Sequence, residues 1–124
     1  MAATLPLGIA SMNVAAKKIA HPRPDLMSLE FLRAAAECLK CVAHPHRLRI
    51  IEILFHGKYP VDRIASLCDL SQPATSGHLR LMESKGLLKS TREGRAVYYT
   101  VADPQLKGII DSVRGRYNAQ RDRV

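Results

Sequence analysis

Apolar positions recur at helical spacing from Leu29 onward. Leu29, Leu32, Ala36, Leu39 and Ala43 mark one stripe, widened by Phe31, Ala35, Cys38 and Val42, and such a pattern predicts an amphipathic helix. Ser28 is a good cap for it, and Glu30 places an acid in the first turn, where the helix dipole favours one. His44-Pro45 breaks the pattern. Pro45 suits the first turn of a second helix, which carries Leu48, Ile51, Leu54 and Phe55 inward and stops near Gly57. A short third helix is predicted from about Val61 to Cys68, with Ile64, Ala65 and Leu67 apolar. Asp69-Leu70 is a tight link, and Ser71 caps a fourth helix that tolerates Pro73 in its first turn. Leu79 and Met82 face the core, and Lys85-Gly86 closes the helix.

A hairpin follows. Residues 87–91 and 96–101 read as strands rich in Val, Tyr and Thr, joined around Glu93-Gly94. Asp103-Pro104, a cap and a first-turn proline, opens a last helix with Leu106, Ile109, Ile110, Val113 and Tyr117 on one face. That stripe has no later element to cover it, which suits a dimer interface. The fold class is mainly α with a β-hairpin wing: about five helices and one two-stranded hairpin, in which the third and fourth helices have the spacing of a helix-turn-helix. Three segments are expected: an N-terminal arm over 1–27, a folded domain over 28–120, and a basic tail over 121–124. The arm contains four breakers (Pro6, Gly8, Pro22, Pro24), offers Lys17, Lys18 and Arg23 to phosphates, and holds Met12 and Met27 as alternative starts.

Charge narrows the partners. The 124 residues carry a formal net charge of +8, which favours a polyanion, either nucleic acid or an anionic membrane surface. No apolar run approaches the roughly 20 residues of a membrane span. The mildly apolar stretch 5–16 precedes its basic pair, the reverse of a secretory signal, so a cytoplasmic location is expected. There is no Gly-rich phosphate loop, no Gly-x-Ser-x-Gly and no His-Glu-x-x-His, and Cys38-x-x-Cys41 lies in a helix rather than a βαβ unit; an enzyme is therefore not expected. The last helix lacks Trp or Phe anchors, which argues against a lipid binder.

The stretches AAAECLKCVAHPHRLRIIEIL, LSQPATSGHLRLMESKGLL and TREGRAVYYTV, in that order and spacing, resemble the ArsR/SmtB family of winged helix-turn-helix transcriptional repressors. The resemblance implies a homodimer that binds a palindromic operator in double-stranded DNA and is released by an effector. The residues agree with this. A helix capped by Ser71 presents Gln72, Thr75, Ser76 and His78 near its N-terminus, with Arg80 further along; Gln can read adenine, and the others can donate to bases or phosphates. Lys89, Arg92 and Arg95 lie on the wing, and residues 85–95 hold four basic residues against one acidic residue, the composition of a phosphate or minor-groove clamp. Gly77 stands where the family usually has a larger polar residue, and Asp69 where it often has Gly.

The family's zinc positions are not matched: Pro60 and its neighbours Tyr59 and Val61 replace one ligand set, and Asp103 is followed by no His or Glu in the last helix. Cys38, Cys41 and Cys68 are the remaining sensor candidates. Cys38 and Cys41 share a helix face, and three thiolates suit a soft effector such as arsenite, mercury or cuprous copper. A thiol redox or persulfide switch and three core cysteines are the alternatives.

Overall fold

The computed structural model describes residues 23–123. Five helices and a small sheet follow in order: α1 (Leu29–Val42), α2 (Pro45–Leu54), β1 (Tyr59–Pro60), α3 (Val61–Cys68), α4 (Gln72–Ser84), β2 (Leu88–Glu93), β3 (Ala96–Val101) and α5 (Leu106–Arg121). Most of the expected arm lies outside the described residues, and residues 23–28 have no regular structure.

Local signals set most of these bounds. The Phe31 amide donates to Ser28 Oγ at 3.1 Å and the Ala74 amide to Ser71 Oγ at 3.2 Å, so both expected caps satisfy a helix-end donor. Asp69 ends α3 in the left-handed region, at φ 56° and ψ 45°, a conformation that Asp tolerates better than most residues. Gly86, just beyond α4, has φ 76°, as a helix-terminating glycine should. Three expected boundaries shift. Helix α2 stops at Leu54 rather than near Gly57. The first hairpin strand begins and ends later than expected, and α5 starts at Leu106. At the last of these, Asp103 and Pro104 form a separate turn: Asp103 Oδ1 and O accept from the amides of Gln105 and Leu106. The helix ends at Arg121, so of the expected basic tail Arg121 is helical and Asp122 and Arg123 form a turn.

Strand β1, not expected from the sequence, pairs antiparallel with β3 (Tyr59 opposite Tyr99, Pro60 opposite Tyr98), giving the sheet order β1-β3-β2. Pro60 is at an edge, where a missing N–H costs no ladder bond. The core gathers Val42, Ile50, Ile51, Ile64, Leu79, Met82, Leu87, Leu88, Tyr99 and Leu106. Full burial of each large aliphatic side chain is worth about 1.5–3 kcal/mol, which fixes α2, α3 and α4 against the base of the hairpin.

The helices at the two ends contribute little to that core. On α1 only Cys41 and Val42 are buried, while Leu29, Leu32 and Leu39 of the apolar stripe are exposed, Leu39 by 52%. On α5 only Leu106 is buried, and Val113 and Tyr117 are 44% and 52% exposed. Both stripes are present and face outward.

Candidate nucleic-acid interface

Helix α4 lies where a helix-turn-helix places its reading helix, and the hairpin stands beside it. Gln72 and Ser76 of α4 line one groove with Arg95, Ala96 and Val97 of the hairpin and with Pro60, Val61 and Asp62 at the start of α3. Arg95 reaches the hairpin tip because the turn has only two residues, Gly94 and Arg95, between the paired Glu93 and Ala96. Gly94 takes φ 64° there, which glycine adopts without steric cost. The groove thus combines an amide that can read base edges, a hydroxyl and a guanidinium, the mixture needed to hold a backbone and read a sequence.

The other candidates fall differently. Ser71 and Arg80 are exposed on α4. Thr75 is fully buried, and its Oγ1 donates to Ser71 O at 2.9 Å; it belongs to the core and is removed from the DNA-facing set. The strand register splits the basic residues of the wing. Arg92 pairs with Val97 and so stands on the groove side, whereas Lys89 pairs with Thr100 on the opposite face. Lys89 and Arg92, three apart, lie on opposite faces. Gly77 is exposed with nothing within 4 Å of where a Cβ would lie.

His78 is half-buried and turned toward α2. Arg47 Nε donates to His78 Nδ1 at 3.2 Å, and Arg47 also donates to the Cys41 carbonyl at 2.9 Å. The His-Pro-x-Arg turn and the Ser-x-His-Leu segment therefore meet. Burial, then the neighbouring His44, Arg47 and His46, hold His78 below the ordinary imidazole value, which keeps it a neutral acceptor for Arg47 at pH 7. His44 caps α2, its Nδ1 accepting the His46 amide at 3.2 Å. The ring centroids of His44 and His78 are 4.8 Å apart. The sequence points His78 to DNA and does not show that it meets His44 and His46. The available signal was the second His of His44-Pro45-His46.

The cysteines do not form a comparable group. Cys41 and Cys68 are buried in the core and Cys38 is half-buried on α1. Burial pushes the Cys68 thiol up, opposed more weakly by Arg49, which disfavours the thiolate that metals bind. Among the described residues, the one set of three His, Cys, Asp or Glu side chains close enough to share an ion is His44, His46 and His78. The expected site of Cys38, Cys41 and Cys68 is not assembled within one chain, because two of its members fill the core.

This architecture is that of a winged helix-turn-helix, a DNA-binding module. The sequence signature described as "Bacterial regulatory protein, arsR family" matches residues 44–90. The transcriptional repressor PagR of Bacillus anthracis is 40% identical over 87 residues, covering 69% of this chain and 84% of PagR. A transcriptional repressor SmtB homolog of a Synechocystis strain is 32% identical over 97 residues, covering 78% of this chain and 74% of that protein. Among solved structures, the homodimeric winged helix-turn-helix domain of Mb0332 from Mycobacterium bovis, a possible ArsR-family regulator, superposes with a TM-score of 0.67. It is 25% identical and covers 77% of this chain and 89% of that one. The chain belongs to the ArsR family of DNA-binding transcriptional regulators. No helix among the described residues is long and apolar enough to cross a membrane.

Proposed function

We propose that the protein is a homodimeric repressor that reads an imperfect palindrome in a promoter and leaves it when an effector binds. The observation that carries this reading is the shared groove of Gln72, Ser76 and Arg95. The stripes of α1 and α5, exposed among the described residues, support pairing of two copies through those helices. Pairing would set the two α4 helices in successive major grooves about one turn apart, roughly 34–36 Å. PagR and the SmtB homolog are transcriptional repressors, which supports repression as the direction of regulation.

A soft ion or metalloid effector such as arsenite, mercury or copper would need Cys38, Cys41 and Cys68 together, and only Cys38 of the three is not buried. The buried positions of Cys41 and Cys68 favour cysteines that fill the core. The test is fluorescence anisotropy of the reduced protein on DNA from its own promoter, at two salt concentrations and with and without arsenite. Tight, salt-dependent binding of two chains to one site supports the repressor; equal binding to every duplex overturns it. Release by stoichiometric arsenite would restore the thiol effector.

A further inference from the structure

We propose that His44, His46 and His78 form a binding site for a divalent transition ion, Zn2+ foremost, between the first turn of α2 and the middle of α4. One ring nitrogen from each lies within 4.8 Å of the others. Tetrahedral Zn2+ with bonds of about 2.0–2.1 Å holds its nitrogens about 3.4 Å apart. The required closure is about 1.4 Å at most, within reach of imidazole rotation. The three rings already crowd together, with centroids 4.8, 5.7 and 6.2 Å apart.

The donor set decides the class of ion. Imidazoles alone make up the group, and neutral imidazole suits Zn2+, Ni2+ and Cu2+, whereas Mg2+ and Ca2+ require oxygen ligands. Three ligands leave the fourth tetrahedral position for water. His46 is exposed, so an ion can enter from solvent.

The resting hydrogen bonds give the site a defined competitor. His44 Nδ1 accepts the His46 amide and His78 Nδ1 accepts from Arg47 Nε, so each of these neutral rings carries its proton on Nε2. Coordination through Nε2 moves that proton to Nδ1, with none released overall, and Nδ1 then ceases to accept. Coordination through Nδ1 displaces the same donors directly. Either way the ion and Arg47 exclude one another at His78. Arg47 must swing its guanidinium from the ring while it can keep the Cys41 carbonyl. The site is thus a choice between an ion that ties α2 to α4 and an arginine that does so.

The test uses the full chain without DNA, so its outcome is independent of the repressor reading. Long-range proton–nitrogen NMR of the histidine side chains is followed through a ZnCl2 titration. The expected result is one Zn2+ per chain, with the ring signals of His44, His46 and His78 shifting together and those of His56 unmoved. His46→Gln, whose exposed side chain makes no hydrogen bond among the described residues, should keep the amide spectrum of the folded chain. It should weaken Zn2+ at least about tenfold. Zn2+ binding that leaves these three rings unshifted, as thiol binding would, overturns the proposal. Equal affinity in His46→Gln and the parent overturns it too.

Discussion

Arg47 Nε lies 3.2 Å from His78 Nδ1 across 31 residues of sequence, and the same guanidinium holds the Cys41 carbonyl at 2.9 Å. One half-buried arginine therefore joins the end of α1, the start of α2 and the recognition helix. Truncation leaves a carbonyl and an imidazole nitrogen without their donor, at about 1–3 kcal/mol. Arg47→Ala should lower the unfolding free energy in urea by that amount, and His78→Ala by less. The double mutant should lose less than the sum. Full additivity would show that the contact contributes nothing.

Gly77 should be replaceable with profit. Nothing lies within 4 Å of its missing Cβ, and glycine costs a helix interior about 1 kcal/mol relative to alanine. Gly77→Ala should raise the melting temperature by roughly 4–8 °C. A lower melting temperature would show that the position is not an ordinary exposed helical one.

The thiols should react in order of burial. Timed alkylation with iodoacetamide, read by mass spectrometry, should modify Cys38 first. Cys41 and Cys68 should be protected until the chain unfolds. The Cys68 pKa is raised, so its thiolate fraction stays below that of a free thiol as pH rises through 8. Early labelling of Cys68 at pH 8 would contradict its placement.

On DNA, Arg92→Ala and Arg95→Ala should each weaken binding to all duplexes and reduce the salt slope by about 1, as lost phosphate contacts do. Gln72→Ala should instead reduce discrimination between the operator and altered sites. Lys89→Ala, on the far face of the hairpin, should have the smaller effect. A Lys89→Ala loss equal to that of Arg95→Ala would reverse the assignment of faces.

Val113→Asp and Leu39→Asp should shift the proposed dimer to monomer in analytical ultracentrifugation, because each puts a charge on an apolar stripe that is exposed among the described residues. Unchanged sedimentation of both variants would exclude α1 and α5 as the interface.

These contrasts mark where the sequence was legible. Helix α3 and the caps at Ser28 and Ser71 fall where residue chemistry placed them, since capping and left-handed termination at Asp69 act over a few residues. The stripes of α1 and α5 were visible too, but periodicity finds a face without saying what covers it. Whether Leu32 and Leu39 face the chain's own core or lie outside it is decided by tertiary packing, which periodicity does not contain. Strand β1 is two residues long and includes a proline; it exists only because Tyr98 and Tyr99 lie opposite, and no local pattern announces that. Thr75 was misplaced because a threonine near a helix start serves a buried backbone bond as readily as a DNA contact. The histidine cluster joins motifs whose meeting depends on how α2 packs on α4.

The short strand β1 has a mechanical consequence. It passes into α3 with no residue between Pro60 and Val61 while its backbone is bonded to β3. The hairpin is thus splinted to the helix-turn-helix and has no hinge at that point. In the proposed repressor dimer the base of each wing and its reading helix would move as one body, so release would come from a change in the spacing or tilt of the two bodies.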